Sequence, residues 1–296
     1  VIEVETPGRG VNPPPFLIFG IDYTPSSAGI RAVHLLCHNL RRRGVNALLT
    51  PCVQNPDIDT KILYPGDAGT ISGAPFVAVY PEGVQGNPLC APVVARWLLY
   101  PISHKFYSMD DLFFSWSSYY NIEGIECLPL IVPVIDESIF RDTDSPRSGY
   151  CYYANKFIMK GGIIPDEISR NGINLSDVPR GDHKQLASIL NTSEYIICFE
   201  ESTITTEAAM CGCPTVFYKS EYLTYLPHVA DDGESGVSVS TEKEAIGRAR
   251  DTLHVEIEAY RKNAENTVHL IDRFIDVCSR KSQEKLNEVG NSYSIL

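Results

Sequence analysis

The chain has 296 residues, 44% of them apolar, and a formal net charge of −12 at neutral pH. That length allows one large domain or two of ordinary size, and the apolar content is enough for real cores. The acidic balance, without a basic face, argues against a nucleic-acid binder, and no apolar run approaches the roughly 18–20 residues that span a bilayer.

Val1–Pro15 is polar and proline-rich and carries no signal-peptide pattern; a start at Val1 rather than Met points to a trimmed or processed chain, one part of a longer protein. Phe16–Ile21 is a continuous apolar run and predicts a buried parallel strand. A turn over Asp22–Gly29 leads into a predicted amphipathic helix, Ile30–Arg43, with Ile30, Val33, Cys37 and Leu40 on one face. Arg41, Arg42 and Arg43 end that helix, with Gly44 as its C-cap. The triplet complements the helix dipole or touches an anionic membrane surface. Val45–Leu49 is the next predicted strand. Ala74–Tyr80 is another, followed by the loop Pro81–Pro88 and a predicted helix over Ala91–Tyr100.

In open parallel sheets, ligands bind outside the carboxyl ends of the strands. Glu82 and Asp22 both fall at such ends, so both are candidate catalytic acids, with His104 nearby in a loop. Phe113–Tyr120 is rich in aromatic residues and serines, and Cys127–Ile135 reads as a strand. The polar run Asp136–Gly149 is the predicted interdomain hinge.

The second half repeats the pattern. Tyr150–Ala154 predicts a short strand, followed by Lys156 and Lys160. His183–Leu190 predicts a helix and Tyr195–Phe199 a buried strand. That strand runs into a hydroxyl-rich turn, Ser202, Thr203, Thr205 and Thr206, and then a short Ala-rich helix that carries Glu207 in its first turn and stops at Gly212. Such a turn aims backbone N–H groups and the positive end of a helix at one spot, which suits a phosphate or diphosphate. Glu207, one turn further in, suits two adjacent sugar hydroxyls. Thr241–Glu244 reads as a capping box. From Ile257 onward Tyr260, Ala264, Val268, Ile271, Ile275 and Cys278 place one apolar face on a long final helix. The nine scattered cysteines form no zinc spacing and read as reduced, buried thiols.

Glu207-Ala-Ala-Met-Cys-Gly-Cys-Pro-Thr-Val216 resembles the donor-binding segment of GT-B glycosyltransferases. The resemblance implies an α/β fold of two Rossmann-like domains facing each other across a cleft, with a C-terminal helix crossing back. It divides the chain into an acceptor domain, residues 1–140, and a nucleotide-sugar donor domain, residues 141–296. It implies that Glu207 holds the ribose of the donor, with Ser202, Thr203 and Thr206 near its phosphates. Lys156 and Lys160 resemble the cations that neutralise the diphosphate in such enzymes. The sequence departs from the retaining pattern at position 199, which is Phe, with Glu200 and Glu201 after it; inverting and retaining chemistry both stay open. The resemblance implies that lysines and helix amides neutralise the diphosphate, so neither a metal nor another cofactor is expected. The implied activity moves a sugar from a nucleotide-sugar donor to a glycan or lipid-linked acceptor. The setting is cytoplasmic surface-polysaccharide synthesis, with peripheral membrane contact at the inner face. A sugar-nucleotide 2-epimerase and a non-catalytic sugar-nucleotide or glycan-binding module are the alternatives.

Overall fold

The computed structural model of the chain describes residues 13–64, 75–223 and 234–293, with side chains up to 288. The chain forms two compact units. One comprises Val1–Tyr23, Gly29–Val132 and Asn266–Leu296; the other comprises Thr24–Ala28 and Pro133–Glu265.

The first unit contains β1 (Phe16–Ile18), α1 (Ala28–Arg42), β2 (Ala47–Leu49), β3 (Val77–Pro81), β4 (Val93–Leu98), β5 (Leu112–Ser115) and β6 (Cys127–Pro129). Its sheet runs β2-β1-β3-β4-β5-β6, and every pairing between these strands is parallel. Strands buried on both faces read as unbroken apolar runs, as β1, β2 and β3 do. The predicted start of β3 at Ala74 lies outside the described residues. Helix α1 ends in a Schellman closure: Val45 N donates to Leu40 O, Gly44 N donates to Arg41 O, and Gly44 takes the left-handed φ of 75°. Arg41 pairs with Asp59 and Arg43 with Asp272, so two of the three arginines serve internal contacts.

One element differs from expectation. Ala91–Tyr100 was expected to be helical, but Val93–Leu98 is a central strand buried along its whole length between β3 and β5. A short apolar run has no period that separates a buried strand from a buried helix turn; here the ladder bonds to two neighbours decide. Arg96 sits in that strand with its side chain 1% exposed. Its Nε donates to Asp111 Oδ2 at 2.6 Å, Nη1 to Val84 O at 2.8 Å and Nη2 to Gly86 O at 2.5 Å. The guanidinium also lies 5.5 Å from the Tyr80 ring centre.

The second unit contains β7 (Tyr150–Tyr153), α2 (Asn155–Met159), α3 (Asp166–Asn171), β8 (Ile173–Asn174), α4 (His183–Thr192), β9 (Tyr195–Cys198), α5 (Ile204–Met210), β10 (Thr215–Phe217), β11 (Val237–Ser238) and α6 (Lys243–Asp251). Its sheet, again parallel, runs β11-β10-β9-β7-β8. The polar run 136–149, expected as a hinge, is tied into this unit. Arg147 donates to Leu190 O, Ser193 O and Cys211 O, and Asn191 Oδ1 accepts from both the amide and the hydroxyl of Thr143. The expected capping box at Thr241–Glu244 does not form: α6 starts after Glu242, whose side chain makes no capping bond.

The final helix, α7 (Leu253–Tyr293), contributes to both units. In the first unit Phe274 packs against Phe16 at 5.4 Å and Phe114 at 4.7 Å between ring centres. Losing such an aromatic costs about 3–5 kcal/mol. The buried stripe is Leu270, Ile271, Phe274 and Cys278, while Val268, expected on the apolar face, is 46% exposed. All nine cysteines are free, six of them buried; burial pushes the Cys37 thiol up to about 11 and that of Cys211 to about 12.

His34 of α1 is fully buried. Nδ1 accepts from Asn55 N, so Nε2 carries the proton donated to Ile21 O at 2.9 Å. Burial lowers its pKa below the ordinary value near 6.5. The unfolded chain therefore binds this proton more readily, and the associated stability, full above pH 6.5, is lost as pH falls below it. In melting curves between pH 7.5 and 5, the decline is expected to be shallower for His34→Gln than for the parent. Equal slopes would count against a buried neutral His34.

Candidate functional site

Each sheet has one place where the chain reverses its direction of winding, and ligands of such folds bind at that point, outside the strand ends. In the first unit the reversal lies between β1 and β3, and Asp22 and Glu82 follow those two strands. The approach of neighbouring loops is close: a Cβ on Gly20 would stand 2.6 Å from Thr50 O and 2.7 Å from Cys52 Sγ. Asp22 is exposed, and its Oδ1 accepts from Val53 N at 2.8 Å. Glu82 is half-buried; its Oε2 accepts from Leu99 N at 3.1 Å and its carbonyl accepts from His104 Nε2 at 3.0 Å. His104 Nδ1 accepts from Phe106 N, which leaves the proton on Nε2. His104 thus holds the Glu82 loop, and Arg96 holds the same loop through Val84 and Gly86.

In the second unit the reversal lies between β7 and β9. Tyr153 and Asn155 stand at the end of β7, and Glu200, Glu201 and Ser202 at the end of β9. Helix α2 has no side-chain cap of its own, because Ala154 precedes it. Glu200 supplies one from β9: its Oε2 accepts from Phe157 N at 2.9 Å. Glu200 is 6% exposed, and its Oε1 is buried without a hydrogen-bond partner among the described residues. Burial raises its pKa against the opposing pull of the Phe157 amide and of Lys156 and Lys160. Tyr153 is likewise pushed up, by burial first and then by Glu200; Asn155 opposes this by donating Nδ2 to its hydroxyl at 3.0 Å, and Glu207 adds to the rise. Tyr153, Asn155 and Glu200 were not among the expected site residues. Only the position of Glu200, just past a buried strand, could have signalled it.

The expected turn is present. Thr203 is the N-cap of α5, and both the amide and the hydroxyl of Thr205 donate to Ser202 O. The Thr206 Oγ1 donates to Glu256 Oε1 of α7 at 2.9 Å. Glu207 lies in the first turn of α5 and is 4% exposed. Lys156 and Lys160 are exposed on and just after α2.

The far end of α5 closes as a second Schellman motif, with Cys213 N on Ala208 O, Gly212 N on Ala209 O, and Gly212 at φ 71°. A Cβ there would stand 2.6 Å from Arg147 Nη2 and would clash with the Asp142 carboxylate. Arg147 cannot withdraw without releasing three carbonyls. Gly212→Ala is therefore expected to lose about 1–2 kcal/mol for the left-handed backbone and about 1–3 kcal/mol more for overpacking. Circular-dichroism melting should show the loss; an unchanged midpoint would contradict it.

No family model and no curated protein matches the sequence. Solved structures do. The β-glucosyltransferase of T4 phage is similar at a TM-score of 0.48 and 10% identity, over 89% of this chain and 99% of that one. MurG of Acinetobacter baumannii is similar at 0.44 and 11%, over 90% and 100%. A calicheamicin glycosyltransferase is similar at 0.45 and 13%, over 93% and 99%. At this level the likeness assigns no residue, and the fold class rests on the two sheet orders. Two doubly wound parallel sheets and a long C-terminal helix are the make-up of the GT-B class.

Proposed function

We propose that the chain is a glycosyltransferase that binds a nucleotide-activated sugar in its second unit and the acceptor in its first. The observation that carries this reading is where the sheet orders place the acids. Asp22 and Glu82 fall at the winding reversal of one sheet, and the Ser202–Glu207 turn follows the reversal strand of the other. Glu207 would meet the ribose hydroxyls with the edge of its carboxylate. Lys156 and Lys160 would stabilise the leaving diphosphate as charge develops on it, which is work a metal does elsewhere. Asp22, the more exposed of the two acids, and Glu82 are the groups that would take the proton of the acceptor hydroxyl. The acceptor is a glycan or lipid-linked glycan of surface-polysaccharide synthesis, on the cytoplasmic face. Peripheral membrane contact falls to the end of α2 and the turn after it, where Ile158, Met159 and Ile163 are 48%, 86% and 87% exposed. No described helix is long and apolar enough to cross a membrane.

The test is a thermal-shift screen against UDP-, GDP-, CDP-, ADP- and CMP-activated sugars. A donor present at a hundred times its Kd stabilises the folded state by about 2.7 kcal/mol. A donor that raises the melting point and is consumed with formation of a glycosylated product supports the reading. If no donor shifts the midpoint, the reading fails. Release of nucleotide without a glycosylated product would favour hydrolysis or epimerisation.

A further inference from the structure

Asp22 is exposed, yet the backbone that carries it is fastened from inside the first unit. Helix α1 buries Val33, Leu36, Cys37 and Leu40, and His34 lies among them at 0% exposure. An imidazole in such a place is costly unless its ring nitrogens are bonded. Both are, and neither partner belongs to α1. Nε2 donates to Ile21 O at 2.9 Å, in the segment after β1, and Nδ1 accepts from Asn55 N at 3.3 Å, in the segment after β2. The ladder between β1 and β2 ends at Ile18 and Leu49, so it pairs neither of these backbone groups.

The two segments are also joined to each other. Gly20 N donates to Thr50 Oγ1 at 2.8 Å, Tyr23 N to Val53 O at 2.9 Å and Val53 N to Asp22 Oδ1 at 2.8 Å. The Tyr23 ring meets the His34 ring edge-on, with centres 5.3 Å apart. Asn55 is 8% exposed and turns its Oδ1 to Asp57 N at 3.0 Å. His34 thus holds the residue before Asp22 on one side and the residue two past Val53 on the other. The imidazole, Ile21, Asp22, Val53 and Asn55 form a closed ring of contacts.

We infer that His34 is a positioning residue for Asp22, an assignment that rests on the transferase reading above: the buried imidazole fixes the two segments whose junction aims the Asp22 carboxylate. A general base acts only within about 2.6–3.2 Å of the proton it takes, and a misplacement of about 1 Å costs roughly a hundredfold in rate. A carboxylate on an exposed loop meets that tolerance only when packed and hydrogen-bonded side chains support it. Neutral imidazole carries one donor and one acceptor on a rigid ring, which suits a gap between a carbonyl and an amide. Leucine would fill the space and leave both unpaired.

Two replacements separate the two bonds. His34→Gln places an amide nitrogen near Nε2 and keeps Ile21 O; His34→Asn places an amide oxygen near Nδ1 and keeps Asn55 N. His34→Leu loses both. NMR of the Val53 amide in the full chain reads the hold on Asp22 without any substrate. Asp22→Ala should move that signal strongly in the parent and little in His34→Leu, where the carboxylate has already left the amide. His34→Gln, which holds the residue beside Asp22, should restore the response. Where a donor and an acceptor give transfer, kcat should fall roughly 10- to 100-fold in His34→Leu. Donor KM should stay at the parent value, because the donor binds the second unit, and His34→Gln should recover part of kcat. If the leucine variant does not fold, His34→Asn takes its place, with a larger fall in kcat than His34→Gln. An equal Val53 response in parent and variants, or folded variants with the parent kcat, would overturn the assignment. If the Val53 response is lost as expected while no donor and acceptor give transfer, His34 stands as the support of Asp22 and the transferase reading alone fails.

Discussion

Arg96→Leu is expected to destabilise the first unit by about 3–5 kcal/mol, because it strips a buried charge of its partner. Asp111, 8% exposed, would keep its carboxylate without the guanidinium 2.6 Å away. The carbonyls of Val84 and Gly86 would lose their donors as well, and an unpaired buried acceptor costs about 1–3 kcal/mol. The double variant Arg96→Leu with Asp111→Leu removes both charges and should recover part of the loss. Both tryptophans, Trp97 and Trp116, lie in the first unit, so urea unfolding followed by tryptophan fluorescence reports on this unit. A single variant within about 0.5 kcal/mol of the parent would place Arg96 among ordinary surface positions and remove its role as anchor of the Glu82 loop.

Glu207→Gln should cut the donor-induced rise in melting temperature by about half or more at a donor concentration a hundred times the parent Kd. The substitution keeps the shape and exchanges a charged acceptor for a neutral amide. Hydrogen bonds to charged groups contribute about 1.5–3 kcal/mol, so donor affinity should fall by roughly 10- to 150-fold. Glu200→Gln makes the informative contrast. Glu200 already accepts from Phe157 N and holds the start of α2, so its replacement should lower the melting point of the free protein as well. If Glu207→Gln binds donor as tightly as the parent, the ribose contact does not exist, and the nucleotide must be held elsewhere on the strand ends.

The residues that stop helices were readable without coordinates. Gly44 and Gly212 do their work through their own φ and through amides a few positions away, so nothing outside the local chain is needed. The apolar runs of β1, β7 and β9 were equally legible, since a strand buried on both faces must be apolar throughout. So were the positions of Asp22, Glu82 and Glu207, because a residue following such a run stands at the strand's carboxyl end wherever the strand finally pairs.

Strand β4 was not legible. Its six residues suit a helix or a strand, and the choice belongs to β3 and β5 on either side. The roles of Thr206, Glu200 and Arg147 were hidden for the same reason, since their partners lie 50, 43 and up to 64 residues away. The sequence by itself determined where the chain turns, caps and buries, because those depend on sterics and bonding between near neighbours. Only the tertiary structure decided which polar groups meet, because a hydrogen bond between distant segments exists only once packing has brought them within about 3 Å.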